Sequence, residues 1–206
     1  MKPKVMVAVP CMKELPFETV YALLHLRSEV ADLELDFIEG SLVYDARNEF
    51  CRRAVQNGFD YIMFIDSDMV FPLKVVDKLL ALNADVATAV CYGRTGKHEP
   101  QVYKEMKPST WYRKYVIVDR CTDVEGVFPI KACGMACCLI KTSLIKKMYK
   151  HNWNPFDPFG HLGEDFSFCA RARRLKAKIL ADGSMTIGHI GVKAFTKEDW
   201  ERDECD

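Results

Sequence analysis

No stretch of this sequence approaches the roughly 20 consecutive apolar residues that a membrane span requires, so any membrane association would be peripheral. Its opening, Met1-Lys2-Pro3-Lys4 before Val5 to Val9, has a cationic start but too short an apolar run for a secretory signal. Net charge is absent as well. The 29 basic and 29 acidic side chains cancel, which removes any global field that would draw nucleic acid or an anionic membrane. Paired Cys-x-x-Cys spacing is missing among the nine cysteines, and without a secretory signal these thiols are expected to be reduced in a cytoplasm. Cys133, Cys137 and Cys138 are close enough to suggest a soft metal site, but small buried thiols on a strand account for them better. Internal repeats and low-complexity tracts are also lacking.

What remains is an ordinary globular composition, 49% hydrophobic and 28% charged, in 206 residues, which favours one domain with a real core over two independent ones. Charge is unevenly distributed. Lys141 to Lys178 carries nine basic residues against Asp157, Glu164 and Asp165, whereas the chain from Ile179 onward is acidic. Cations at helix C-termini explain much of this basic stretch, although it keeps a polyanionic partner in view.

Hydrophobic periodicity predicts strands at Val5 to Val9, Leu33 to Ile38, Tyr61 to Ile65 and Ala84 to Val90. They alternate with helices at Phe17 to Val30, Val43 to Ala54 and Leu73 to Leu82. Asn57-Gly58 supplies a C-terminal cap for the second helix. This order implies an α/β fold, a mostly parallel sheet with helices on both faces. Beyond Cys91 the order breaks. Cys91 to Ser109 is rich in Gly, Pro, Lys and Glu and is expected to be a loop with short extended pieces, with a mobile lid over 91–110. Strand candidates follow at Tyr112 to Val118 and Val127 to Ile140, then a helix over Thr142 to Lys150 and a proline-broken segment through Pro155 and Pro158. Another helix is expected at Phe166 to Leu175, and short strands at Lys178 to Leu180 and Met185 to Ile187.

The apolar run Tyr61 to Ile65 ends in Asp66-Ser67-Asp68. Carboxylates there emerge where an open α/β sheet places its ligand crevice, and two hard oxygen ligands suit a divalent cation that also holds a diphosphate. A turn cap is the competing explanation of the triplet alone. Two further polar sites ask to be explained with it: Gly163-Glu164-Asp165, opening a helix, and Gly188-His189-Ile190-Gly191, after a strand.

Together, Tyr-Ile-Met-Phe-Ile-Asp-Ser-Asp-Met at 61–69, Ala46-Arg47-Asn48, Gly-Glu-Asp-Phe-Ser-Phe-Cys at 163–169 and Gly-His-Ile-Gly at 188–191 resemble nucleotide-sugar glycosyltransferases of the GT-A fold, most of all family 2. The resemblance covers most of the chain except about residues 95–160. It implies a single GT-A domain over 1–206, with a nucleotide-sugar-binding half (1–90) and an acceptor-binding and catalytic half (91–206). It also implies a transferase moving a sugar from a nucleoside-diphosphate sugar to an acceptor hydroxyl, by inverting displacement.

By resemblance, Asp68 bonds the metal directly, Asp66 acts through water or the ribose, and His189 is a third ligand. An imidazole ligand tilts the choice toward Mn²⁺ over Mg²⁺. Asp165 corresponds to the base that takes the acceptor proton, and Glu164 orients the acceptor or the base; a purely structural account of the pair is favourable charge at a helix N-terminus. Arg47 and Asn48 are expected near a phosphate or nucleobase, with an exposed salt bridge as the competing role for Arg47. Pro10 should turn under the nucleotide, Glu39 or Ser41 should meet ribose or base, and Arg94 should clamp the diphosphate. Trp153, Phe156 and Phe159 either stack on a sugar or anchor a loop.

Two other enzymes share parts of this pattern. A retaining glycosyltransferase of the same fold uses the same metal groups. A sugar-phosphate nucleotidyltransferase shares the sheet and the carboxylates but needs a Gly-rich basic loop after the first strand, and Pro10-Cys11-Met12-Lys13-Glu14 has no glycine. The acceptor stays open among a glycan, a lipid-linked sugar, a protein, a small molecule and a modified nucleic-acid base, as does the oligomeric state.

Overall fold

The computed structural model describes residues 1–94, 97–108, 116–191 and 194–203. Its first half follows the predicted alternation: β1 (Lys4–Cys11), α1 (Phe17–His25), β2 (Asp32–Glu39), α2 (Val43–Gln56), β3 (Tyr61–Ile65), a short β4 (Met69–Val70), α3 (Val75–Ala81) and β5 (Val86–Ala89). Helix α2 ends where expected, with Asn57 as its cap and Gly58 at φ +72°. Helix α1 stops well short of Val30, because the segment after it is held by tertiary contacts. Arg27 N–H donates to the Leu73 carbonyl at 3.0 Å, Glu29 N–H to Asp77 at 3.0 Å, and the Ser28 hydroxyl also bonds Asp77.

The second half contains β6 (Val102–Pro108), β7 (Val116–Arg120), β8 (Val127–Pro129), β9 (Ala132–Cys133), β10 (Cys137–Lys141), α4 (Thr142–Lys150), α5 (Glu164–Arg174), β11 (Ile179–Asp182), β12 (Gly188–Ile190), β13 (Ala194–Phe195) and α6 (Lys197–Asp203). Strand β6 is one continuous strand where a loop with short extended pieces is expected, because it is paired along both edges, with β7 and with β9. Part of the expected strand at Tyr112 to Val118, and positions 95–96 and 109–110 of the expected lid, lie outside the described residues. The strand expected at Met185 to Ile187 falls instead at Gly188–Ile190, so His189 lies within a strand rather than after one.

The main sheet has seven strands in the order β2-β1-β3-β10-β5-β11-β8. Strands β2, β1, β3, β5 and β11 run in one direction, while β10 lies antiparallel between β3 and β5, and β8 antiparallel at the edge. The sheet therefore crosses the boundary at residue 90. Alternating side chains feed two cores. Met6 and Ala8 of β1, Ile62 and Phe64 of β3, and Cys138 and Ile140 of β10 face α2, α4 and α5. Val5, Val7, Val9, Met63, Ile65 and Leu139 face α1 and α3. Cys133, Cys137 and Cys138 are buried apolar side chains of this framework. No helix among the described residues is long and apolar enough to cross a membrane.

Candidate active site

The strand alternation continues one residue beyond β3. Asp66 N–H donates to the Ala136 carbonyl at 3.0 Å, which keeps the backbone in the ladder and turns the Asp66 side chain toward the face of Phe64, the side covered by α2. There it meets Arg47, which α2 projects inward and which is only 2% exposed. Arg47 Nη2 donates to Asp66 Oδ1 at 2.8 Å; Nη1 donates to Glu164 Oε1 at 2.9 Å and to Asp165 Oδ1. The rings of Phe64 and Phe156 lie beside the guanidinium, their centroids 6.0 and 5.9 Å from its carbon. Arg47 thus sits among carboxylates rather than at an open phosphate site. Burial alone would lower its pKa, but the three carboxylates outweigh that and raise it.

Glu164 and Asp165 form the first turn of α5, where their charge favours the helix dipole. The second Asp165 oxygen, Oδ2, accepts the Met135 N–H at 3.3 Å. Burial is the main influence on this carboxyl. The charges of Glu164 and Asp66 add to it, Arg47 and the Met135 bond oppose it, and the balance raises the pKa to about 7.

The other half of the site depends on β12 pairing with β4. His189 stands opposite Met69, and Ile190 N–H donates to the Asp68 carbonyl at 2.7 Å, so the imidazole falls beside the Asp68 side chain. His189 Nδ1 lies 2.9 Å from the Tyr92 carbonyl, which can only accept, so Nδ1 carries the proton and Nε2 faces Asp68 Oδ2 at 3.3 Å. Burial would lower the His189 pKa, but the Asp68 and Tyr92 bonds raise it overall. Burial would likewise raise Asp68, yet His189 and the ion pair with half-exposed Arg94 leave it lowered. Among the described residues no group of three His, Cys, Asp or Glu is placed to hold a metal ion. Asp66 is engaged by Arg47, and Asp68 and His189 form a pair apart from it.

Two cavities meet at Asp66. A cleft of about 170 Å³ runs from Pro10 and Met12 past Ser41 to Asp66 and Asp68. A chamber of about 150 Å³ lies behind, walled by Asp66, Gln101, Met135, Asp165 and His189. Glu39 lies outside both. It is exposed opposite Cys11, whose thiol is raised by burial and by the Glu39 charge. Asn48 faces away from the cleft as well: its Nδ2 donates to Asp157 Oδ1 at 2.7 Å and its Oδ1 accepts the Phe156 N–H at 2.9 Å. Phe156 is buried against Phe168 with ring centroids 4.7 Å apart, Phe159 lies under Arg171 at 5.1 Å, and Trp153 stacks on His151 at 4.8 Å, so these aromatics anchor structure rather than offer a free stacking face. A further cavity of about 560 Å³ lies at the far end of β1 and β3 beside Lys2 and Lys141, away from these carboxylates.

Several chamber groups had no signal in the sequence. The Met135 N–H and Tyr92 carbonyl are backbone atoms that any residue supplies. Gln101 is held at both ends, its Nε2 donating to the Glu99 carbonyl at 2.8 Å and its Oε1 accepting from the Tyr103 hydroxyl at 3.0 Å. Burial chiefly, helped by the Asp165 charge, pushes that tyrosine up to about 12.

No protein-family model matches this sequence, and no curated protein is similar to it. Solved structures are. The A197 protein from STIV superposes with a TM-score of 0.68 at 17% identity, over 97% of this chain and 92% of that one. The fold is GT-A. TarS from S. aureus, residues 1–349 in complex with UDP-GlcNAc, superposes with a TM-score of 0.53 at 16% identity, over 89% of this chain and 56% of that one. The chain therefore spans somewhat over half of that TarS fragment. At these identities the likeness carries the GT-A architecture alone.

Proposed function

We propose that this chain transfers a sugar from a nucleoside-diphosphate sugar to an acceptor hydroxyl by inverting displacement, with Asp165 as the general base. The observation that carries this reading is the state of Asp165. Its two oxygens are held by Arg47 and the Met135 N–H on the wall of a chamber shared with Asp66 and His189, and its pKa near 7 suits a base working at neutral pH. Glu164 shares Arg47 with it and keeps its carboxylate oriented.

The cleft beside Pro10 and Ser41 takes the nucleoside, with Asp66 and Asp68 at the point where cleft and chamber meet. A uridine nucleotide is the first to test, since TarS has been crystallised with UDP-GlcNAc and with UDP. Asp68 and His189 fit a divalent cation: with Nδ1–H given to the Tyr92 carbonyl, Nε2 is the nitrogen turned to Asp68 Oδ2 at 3.3 Å, and a cation can take the place of the proton between them. They would hold Mn²⁺ or Mg²⁺, the imidazole favouring Mn²⁺. When bound, such an ion supplies Lewis-acid stabilisation to the departing diphosphate. Arg94 at the mouth pairs with Asp68 and is free enough, at 50% exposure, to reach a phosphate.

The test is a screen of nucleoside-diphosphate sugars for nucleoside diphosphate release, with and without Mn²⁺. Release that requires Mn²⁺ and is abolished in Asp68→Ala and Asp165→Asn is the expected result. No release from any sugar nucleotide, or full activity in Asp165→Asn, would sink the assignment.

A further inference from the structure

The reaction proposed above uses the buried guanidinium of Arg47 only as one hold on Asp165. We infer that Arg47 is a positioning residue that ties the donor-side carboxylate Asp66 to Glu164 and Asp165, aiming the base across the boundary between cleft and chamber. This rests on Asp165 being the base.

The geometry separates the two ends of the guanidinium. Nη2 holds Asp66 at the end of β3, and Nη1 holds Glu164 and Asp165 at the start of α5. Asp165 is gripped through Oδ1 alone, which leaves Oδ2 on the chamber side with the Met135 N–H. The next residue of the same helix fastens the segment leading into α5. Asn48 holds Asp157 through its Nδ2 and the Phe156 N–H through its Oδ1. Helix α2 therefore fixes both the base and the chain that delivers it.

A planar fork reaches carboxylates on two elements at once, whereas a lysine ammonium is a single point charge. At 2% exposure, with Phe64 and Phe156 packed beside it, Arg47 meets a donor phosphate only if its carboxylates are displaced. Its loss should therefore slow the chemical step and leave donor binding alone.

Turnover by the unaltered protein is measured first; if there is none, the functional reading fails while the Arg47 linkage can still be read by the last measurement below. Arg47→Lys is then expected to lower kcat by about 100-fold, the cost of a misplaced reacting group, with little change in donor KM. Because Arg47 acts through Asp165, the pH profile of the residual kcat in Arg47→Lys should no longer match that of the unaltered protein. A raised donor KM with kcat retained would make Arg47 a phosphate clamp, and a lowered kcat with an unchanged pH profile would remove the link to Asp165; either result overturns the inference. Should Arg47→Lys fail to fold, arginine side-chain NMR decides. A slowly exchanging guanidinium resonance in the unaltered protein should shift and exchange faster in Asp165→Asn, and an unchanged resonance refutes the tie.

Discussion

Replacing Asp165 with asparagine should abolish turnover and yet make the protein more stable at alkaline pH. The folded state raises this carboxyl from 3.8 to about 7, chiefly by burial and then by the neighbouring Glu164 and Asp66 charges. A carboxyl raised on folding contributes stability that is fully present below its unfolded pKa and is lost as pH rises through the folded value. At about 1.4 kcal/mol per pH unit, the interval from 3.8 to about 7 sets a ceiling of roughly 4 kcal/mol on what ionised Asp165 costs at pH 8. Asparagine removes that cost but turns its amide N–H toward one of two donors, the Met135 N–H or the Arg47 guanidinium, which takes back about 1–3 kcal/mol. The net gain at pH 8 is at most about 1–3 kcal/mol, or about 2–4 °C in Tm for each kcal/mol at this chain length. Thermal melts of both proteins from pH 5 to pH 8 measure it. The Tm advantage of Asp165→Asn should be largest at pH 8 and shrink toward pH 5, where the native carboxyl is already protonated. A variant destabilised equally at both pH values would show that Arg47 holds Asp165 as a stable anion, and the argument for a base poised near neutrality would fall.

Initial rates at saturating donor should rise with pH and level off above an apparent pKa near 7, since Asp165 must be ionised to accept a proton; a flat profile from pH 5 to 8 contradicts this. Asp68→Ala and His189→Ala should each weaken Mn²⁺ binding, measured by calorimetry in the presence of nucleoside diphosphate, by at least about tenfold, and unchanged affinity in both would remove these residues from the metal. Phe156→Ala should cost about 3–5 kcal/mol in urea denaturation, because a fully buried ring stacked on Phe168 and set edge-on to Phe64 leaves a cavity; a loss below about 1 kcal/mol would mean that the loop carries no core packing.

The periodic apolar runs of β1, β3 and β5, the helix pattern of α2 and the Asn57-Gly58 cap are local properties, and they were legible in the sequence because burial on a sheet or helix face imposes a spacing of its own. So was the joint presence of Asp66, Asp68, the Glu164-Asp165 pair and His189. Pairing across the chain carries no such spacing. Nothing in Cys137–Lys141 announces that β10 enters antiparallel between β3 and β5, and nothing in Val102–Pro108 announces a strand whose partners are β7 and β9. The roles of the two neighbours Arg47 and Asn48 were decided the same way. Their residue types suit a phosphate or a base, but their partners Asp66, Asp157, Glu164 and Asp165 lie 19 to 118 residues away, and only the packing of α2 against β3 and α5 brings them within bonding distance. By itself the sequence determined the alternating elements of the first half and the chemical inventory of the site, because those depend on residue type and local period. Tertiary structure alone decided which carboxylate faces the buried arginine and which faces the histidine, because that depends on strand order and register.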